Sequence, residues 1–485
     1  MGVPNHIILP FVGVEFNNSR ASKGSGTLVF QTLLAGQKTS SGTGIPGTII
    51  RVSSADAVAI AAGYGSQLHM MAKEYFKNNS ITDTFIYMLE DAVSSVKAEF
   101  TVTFTGTATK GGEIALMIDG YRIPVAVASG DAPSDIASAA ASAISAVLPY
   151  TCISSSVAEL GVLTLTVKNG GTIGNGAHIT HSYYDGEVLP TGVSVAIVNS
   201  VSGSVDPSLE DMITDIGEEW FQVFCAPYTD SANMSLIETE LASRFGVMRQ
   251  IDGVYISSRK GTDEDLIAFA TDTLRNSPHC GVAAATDYPM SVCQIAGAIA
   301  GAFAASASQD SAKPLHRITL NGILPPVKEK RKKFIERNTL ALNGLMTLNP
   351  SNGVQSEATV TMYLKNSSGV RDTSYQQMNN MFVLMVLRYR FIQQILLKYG
   401  RAKLADNADN IGPNQEIITP AIGKGEALMW FKQAQYDGLV ENYEVFKSTV
   451  QCYRDTANRN KLIWFLGPDL MNQFIVGSGD MAFEN

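Results

Sequence analysis

The stretch EWFQVFCAPYTDSANMSLIETELASRFGVMRQIDGVYISSRKGTDEDLIAFATDTLRNSPHCGVAAAT, Glu219–Thr286, alternates between two hydrophobic periods. EWFQVFCAP, DGVYISS and CGVAAAT are short apolar runs of strand character. TDSANMSLIETELASRFG is a helix with Asp230 or Ser231 at its N-cap and Gly246 as its stop. TDEDLIAFATDTLRN is a second helix, opened by Thr262 with Asp265 three residues on. Strands joined through helices lie parallel, because a parallel pair needs a long crossover. The pattern predicts an α/β fold: a mostly parallel or mixed sheet with flanking helices.

The same alternation recurs outward from this stretch. Toward the N-terminus, GTIIRV is a strand, SADAVAIAAGYGSQLHMMAKEYF is two helices split at a glycine, and DTFIYML is a strand. Toward the C-terminus, Ser291 opens an Ala/Gly helix. Its apolar stretch Ile295–Ala307 is too short and too rich in small residues to span a bilayer. Gly297 and Gly301 are expected at a close helix–helix contact in the core. Between about Val96 and Ser204 the composition changes. AEFTVTFTG, EIALMIDGYRIPVAVA, GVLTLTVKNGG and VSVAIVNSVSG read as strands, and DAPSDIASAAASAISAVL is an Ala-rich helix started by Asp131 and Pro133. This predicts an inserted β-rich α+β domain joined to the core by two crossings.

Beyond Lys313, HRITLNGIL, NTLALNGLMTL and SEATVTMYLKN read as β segments. Tyr375, Met378, Phe382, Met385, Tyr389, Ile392, Leu396 and Tyr399 then recur at intervals of three and four, one continuous helical stripe. Thr373 with Gln376 is its expected capping box and Gly400 its stop. A core helix and a coiled coil both fit that stripe.

Both ends are strand-like. VPNHIILPFVGVEFNNSR, from Val3, is apolar and β-branched but holds two prolines, so it suits an extended edge strand. At the other end Leu462–Leu466 is an apolar run, Gly467 and Pro468 break it, and Leu470–Val476 is a second run with no later strand to pair with. The predicted layout is an N-terminal arm at 1–20, an α/β core at 21–95 and 205–461, an inserted outer domain at 96–204, and C-terminal strands and arm at 462–485.

Composition narrows the function. Hydrophobic residues at 45% and charged residues at 17% describe a globular chain with a weakly charged surface. A net charge of −9 argues against nucleic acid as a partner, because phosphate binding needs a basic face. The five cysteines, Cys152, Cys225, Cys280, Cys293 and Cys452, are scattered, which is the usage of a reducing compartment and predicts cytoplasmic synthesis. Gly2–Phe16 has no basic n-region, so no signal peptide and no membrane insertion are expected.

The search for chemistry is short. Parallel sheets bind ligands at the C-terminal ends of their strands, and here those ends carry Asp230, Arg259, Lys260, Asp263 and Asp287. The plainer account is that these residues cap the helices that follow. No Gly-x-Gly-x-x-Gly fingerprint follows a strand. AIGKGE has Ile where a phosphate loop needs its first glycine, and Gly425 where Ser or Thr should follow the lysine. Ser257 and Lys260 form a Ser-x-x-Lys pair without its companion motifs. The histidines, His6, His69, His178, His181, His279 and His316, form no metal-binding helix pair. KEKRKK, Lys328–Lys333, reads as a solvated loop. No catalytic, cofactor or metal residues are assigned.

RDTSYQQMNNMFVLMVLRYRFIQQILLKYGRAKLADN, QEIITP and YRDTANRNKLIWFLGPDLMNQFIV resemble the C-terminal region of the Mu-type contractile tail sheath proteins of phages and tailocins. LPFVGVEFNNSRAS resembles their N-terminal arm, KNGGTIGNGAHI their inserted domain, and SAKPLHRITLNGILPP and ERNTLALNGLMTL their middle region. The matches run in order over most of the chain and are structural in kind. Gly467 departs from a second proline found there in relatives, which implies a looser bend before the last strand.

The resemblance implies a virion tail subunit, assembled in the bacterial cytoplasm, that stacks around a tail tube and contracts to drive it through an envelope. It implies neighbouring sheath subunits, the tube protein, and baseplate and tail terminator proteins as partners. It implies terminal arms that add strands to neighbours by β-augmentation. The arm residues are then Ile7, Ile8, Leu9, Phe11, Val12, Val14 and Phe16, and Leu470, Met471, Phe474, Ile475 and Val476. A surface that grips and releases a tube suits exposed charges, which are individually weak. The tube-facing candidates are Arg388, Arg390, Lys398, Arg401 and Lys403. The rival expectations are an α/β enzyme with a β-rich accessory domain, and a non-contractile surface-lattice or adhesin protein.

Overall fold

The structure is a computed structural model that describes residues 28–147, 151–158, 161–272, 275–407 and 415–483. They fall into two compact units: Val29–Met385 with the residues from Asn472 onward, and Leu28 with Val386–Met471. The N-terminal arm candidates Ile7 to Phe16 lie outside the described residues.

The first unit is built on a six-stranded mixed sheet. Its strands are β1 (Gln31–Gln37), β2 (Ile49–Val52), β3 (Asp83–Leu89), β11 (Val223–Cys225), β12 (Val254–Arg259) and β13 (Cys280–Ala284), in the order β13-β12-β11-β1-β3-β2. All neighbours run parallel except β2 against β3. One face is covered by α2 (Gln67–Asn78) and α7 (Val292–Gln309), with α1 (Ala55–Ala62) preceding α2. Close approach of α2 and α7 needs glycine. A Cβ at Gly297 would lie 2.2 Å from the Met71 carbonyl oxygen, and one at Gly301 would lie 2.5 Å from that of Tyr75. α7 is the one helix among the described residues long and apolar enough to cross a membrane, and most of it is buried against α2 and the sheet.

On the opposite face, Met212 and Ile216 of α4 (Glu210–Ile216), Ile237 and Leu241 of α5 (Ser231–Phe245) and Leu266 of α6 (Asp263–Thr271) share one core with Leu33, Tyr87 and Tyr255. The caps read from sequence hold. Asp230 accepts from Asn233 N–H at 3.0 Å, and Thr262 and Asp265 form a reciprocal box. Leu340 of α8 (Phe334–Leu342) completes this core.

Residues 96–204 begin and end side by side. Val96 and Ser204 exchange two backbone hydrogen bonds, at 3.0 and 3.2 Å. Between them lie β4 (Lys97–Thr105), β5 (Gly112–Ile118), β6 (Tyr121–Val127), α3 (Pro133–Val147), β7 (Ile153–Ala158), β8 (Val162–Gly170), β9 (Ile179–His181) and β10 (Ser194–Val201). They form an antiparallel sheet β10-β4-β8-β7 and a smaller one β6-β5-β9. A separate core, including Phe100, Phe104, Leu116, Ile136 and Leu165, lies between these sheets and α3.

Three expectations fail between Lys313 and Gly400. Asn338–Leu342 is helix, not strand: Glu336 accepts the Lys333 N–H at 2.6 Å, and Leu340 packs inward. The last residue of NTLALNGLMTL, Leu348, enters the two-residue β14 (Leu348–Asn349), which pairs with β15 (Gln355–Ser356). Apart from Ser356 of β15, the other two segments contain only isolated bridges such as Thr319 to Gln355. The long helix, α9, spans Met378–Tyr399, so Thr373 and Gln376 do not cap it. Gln377 bridges Val360 and Thr361 Oγ1 donates to the Tyr375 carbonyl, which holds 373–377 as irregular chain.

The second unit holds the rest of α9, α10 (Pro420–Tyr436), α11 (Tyr443–Thr449) and three two-stranded ladders. The pairs are β16 (Lys403–Leu404) with β17 (Ile417–Ile418), β18 (Val440–Glu441) with β21 (Asp469–Leu470), and β19 (Gln451–Arg454) with β20 (Leu462–Phe465). Its core is aromatic. Phe391 meets Trp430 and Trp464 edge-on at 5.4 and 5.7 Å, and Phe431 stacks on Phe446 at 4.2 Å.

Candidate functional site

The crevice where an α/β sheet would bind a ligand lies between β1 and β11, the strands from which the order departs in both directions. On the β1 side of it the protein packs Asn169 and Gly170 of its own chain against the start of α2 and the end of β3. Asn169, buried at the end of β8, accepts the Gln67 N–H at 2.9 Å and donates to the Lys38 carbonyl at 2.8 Å and to Asp91 Oδ1 at 3.0 Å. Gln37 Nε2 donates to the Gly170 carbonyl at 2.7 Å, and Gly170 N–H donates to Asp91 Oδ2 at 2.9 Å. Tyr228 donates its hydroxyl to Gln67 Oε1 at 2.8 Å.

The charged residues at the strand ends serve the fold. Asp230 caps α5, Arg259 donates to Thr229, Lys260 donates to the Gly176 carbonyl at 2.9 Å, and Asp263 pairs with Lys332 at 2.5 Å. A buried polar junction continues from Lys260. Asp119 occupies a left-handed turn (φ 44°) between β5 and β6 and accepts from His178 N–H and Cys152 Sγ, both at 2.8 Å. Burial pushes its carboxyl up from the usual range, and the Lys260 charge partly opposes this. Burial, then Lys260, lowers His178 to about 4. No cluster of three or more metal-ligating side chains occurs among the described residues. AIGKGE forms the first turns of α10, where the leading amides are already taken: Ala421 N–H donates to Asn407 Oδ1 at 2.9 Å, Ile422 N–H to Thr419 Oγ1 at 3.3 Å and Gly423 N–H to the Thr419 carbonyl at 2.8 Å.

The C-terminal strands divide in a way that sequence does not show. Leu462–Phe465 does not await a partner from elsewhere: it forms a hairpin with Gln451–Arg454 of its own chain. Leu470 pairs with Val440, and Met471 N–H donates to the Leu439 carbonyl at 3.0 Å. The predicted strand Leu470–Val476 therefore begins at home and stops after Leu470. From Asn472 to Phe483 no strand forms. Gln473 Nε2 donates to the Ala312 carbonyl at 3.0 Å, but Phe474 is 79%, Ile475 58% and Val476 82% exposed, and Met481 and Phe483 are more open still. Gly467 has no near neighbour and no positive φ, so the bend there does not depend on glycine.

The basic candidates on α9 and after it also divide. Arg390 pairs with Asp437 at 2.5 Å. Lys398 pairs with Glu426 at 2.7 Å, where Gln394 and Tyr399 donate to the same carboxylate. Lys403 donates to Gln415 at 2.8 Å. Arg388 is half-buried, and Arg401 is exposed with no ion pair among the described residues.

Comparison with known proteins decides the family. Residues 203–362, which span α4 to α8 and β11 to β15, match the phage tail sheath protein central domain. The chain is 33% identical over 483 residues to the Mu-like prophage FluMu tail sheath protein of Haemophilus influenzae, covering 99% of this chain and 98% of that one. The chain belongs to the phage tail sheath family.

Solved structures agree in fold. A sheath tail protein from Desulfitobacterium hafniense aligns with a TM-score of 0.50 at 13% identity, over 95% of this sheath chain and 100% of its own. A chain of the anti-feeding prophage baseplate in its contracted state aligns with a TM-score of 0.50 at 11% identity, over 99% and 100%. Two features of this sheath chain lay beyond the sequence reading. Asn169 lies at the end of the segment GVLTLTVKNGG and Asp119 in the middle of EIALMIDGYRIPVAVA, both read as strand, and nothing local marks either as a junction residue. The β19–β20 hairpin was missed because Gln451–Arg454 is too short and polar to stand out.

Proposed function

We propose that this chain is the subunit of a contractile tail sheath, stacked with copies of itself around a tail tube, and that its terminal segments link the copies. The observation that carries the linking is the segment from Phe474 to Phe483. It forms no strand, and its apolar side chains Phe474, Ile475, Val476, Met481 and Phe483 face solvent. Exposed apolar side chains on backbone outside any ladder have a favourable outlet in adding to another subunit's sheet, which pairs the polar main chain and buries the side chains. Each main-chain bond so formed contributes about 0.5–1.5 kcal/mol. Several in series make a joint that survives rotation of the units it connects. The N-terminal residues Ile7 to Phe16 are assigned the same role.

Contraction of such a stack drives the tube through a bacterial envelope. The tube, the baseplate and a terminator are the further partners, and the assembled protein resides in the virion tail after assembly in the host cytoplasm. Residues 96–204 form the outer domain, and Arg388, Arg401 and Lys403 remain tube-facing candidates, Arg401 being exposed with no ion pair among the described residues. Arg390 and Lys398 contribute after giving up their pairs to Asp437 and Glu426. The role is structural rather than enzymatic, in keeping with a crevice packed on its β1 side by Asn169 and Gly170. Negative-stain electron microscopy of the purified full-length protein tests the reading: rings or tubes support it, and monodisperse particles at every protein and salt concentration overturn it.

A further inference from the structure

The two sheets within residues 96–204 treat their edges differently. The edge strand β6 carries Arg122, ion-paired to Glu113 and Glu187, and Pro124, which lacks a donor. The opposite edge, β9, is three residues long. These are the usual protections against pairing with another chain. The four-stranded sheet has neither at its edges. β10 (SVAIVNSV) and β7 (ISSSVA) contain no charged residue and no proline. No backbone group of β10 bonds outside its ladder with β4 among the described residues. An apolar side chain stands exposed on each edge: Val198 at 57% and Val157 at 47%. The only protection is a bulge at the far end of β10, between Asn199 and Val201.

We propose that β10 of one copy pairs with β7 of the next, joining the outer sheets of neighbouring subunits into one continuous antiparallel sheet. The inference rests on the reading of the chain as a sheath subunit. Strand direction selects the pairing. Each step in the order β10-β4-β8-β7 is antiparallel, so β7 runs opposite to β10, and the edge of one copy continues the ladder of another. The contact is head-to-tail and propagates without a two-fold axis, as rings and helices require. Charge selects the occupant. Copies that each carry −9 repel, and they approach at least cost where both surfaces are uncharged. Shape agrees as well. Val198, Thr101, Thr164 and Ser156 form one cross-strand row on the outer face, and Ala196 and Ser154 flank it, so the joined rows meet through small side chains.

Crosslinking tests this in the full chain. One cysteine is placed in β7 (Ser154→Cys or Ser156→Cys) and one in β10 (Ala196→Cys or Val198→Cys), in all four pairings. Within one copy the two strands are three ladder spacings apart, about 14 Å, whereas a disulfide needs Cβ atoms about 3.5–4.5 Å apart. Assembled and oxidised, at least one double variant is expected to give a ladder of dimers, trimers and longer species that both single variants and the parent lack. Monomers from all four, with tubes visible by microscopy, overturn the edge pairing and leave the sheath reading standing. Dimers from Val198→Cys alone mean two-fold pairing of β10 and also overturn it. Absence of tubes or rings from the parent overturns the sheath reading and this inference with it. As an independent check, Val198→Lys is expected to give shorter or fewer tubes with an unchanged monomer melt; unchanged tubes count against the pairing.

Discussion

β1 and the C-terminal segment are the same kind of sequence with opposite fates. Leu33 and Leu34 in β1 are 0% exposed, with β3 on one side and β11 on the other. Phe474, Ile475 and Val476 are as apolar, yet they lie open to water. Hydrophobicity alone therefore did not bury either one. β1 is central because crossover helices deliver strands to both its edges. The C-terminal segment follows the two-residue β21 and pairs with no sheet edge among the described residues. A strand that a chain cannot pair is a strand available to a neighbour.

The strongest test of this contrast removes the C-terminal segment. Truncation after Met471 keeps the β18–β21 pair and is expected to abolish tubes completely while the monomer melt changes by no more than about 0.5 kcal/mol. Ile475→Pro should repeat the loss of tubes, since it deletes one ladder donor. Tubes from the truncated chain, or a collapsed melt, would show that the segment belongs to its own subunit.

Next in size is the buried side of the comparison. Gly301→Leu forces a side chain into the Tyr75 carbonyl, so α2 and α7 must part, at a cost of about 3 kcal/mol or more. Thermal melting of the soluble protein reads this directly. A near-native melt would mean that the helix pair is looser than its glycines imply.

Asn169→Ala probes the β1 side of the crevice. It strands the Gln67 N–H and the Lys38 carbonyl without water, for an expected loss of about 1–3 kcal/mol and faster proteolysis near Val96 and Ser204. The same bonds bear on replacing residues 96–204 by a short linker. Such a chain opens the crevice and is expected to lose core stability, even where stacking survives.

A paired and an unpaired cation sharpen the tube-facing proposal. Lys398→Glu sets a second carboxylate beside Glu426 and should destabilise the monomer by about 1–3 kcal/mol. Arg401→Glu should leave the melt unchanged and alter only assembly on tubes. Equal effects of the two on the melt would remove the distinction drawn from their contacts.

The smallest effect is on pH. Burial lowers both His69 and His178 to about 4, below the ordinary value of 6.5. Between those values the unfolded chain binds more protons than the folded one, so stability rises with pH there and is lost as pH falls from about 6.5 toward 4. Buried Asp119 and Glu74, whose pKa values are raised, slope the other way at the acid end. Melts of His178→Gln across this window should show a shallower pH dependence than the parent; an unchanged slope would assign the loss to other groups.

Sequence by itself determined the elements whose signal is local. The alternation of strands and helices, the caps at Asp230 and Thr262, and the small-residue contact at Gly297 and Gly301 follow from periodicity and backbone chemistry within a few residues. The site was legible only as composition: apolar termini were visible, their partners were not. Tertiary structure decided everything that depends on distant chain. Asn338–Leu342 became helix because Leu340 has a place in the sheet's core. Asn169 became a plug because Lys38, Gln67 and Asp91, between 78 and 131 residues away, converge on it. Leu462–Phe465 was folded home by a four-residue partner, whereas Phe474–Val476 stands open, with no strand beside it among the described residues. Local propensity proposes a strand, but only the geometry of the assembled chain determines whether an edge stands beside it.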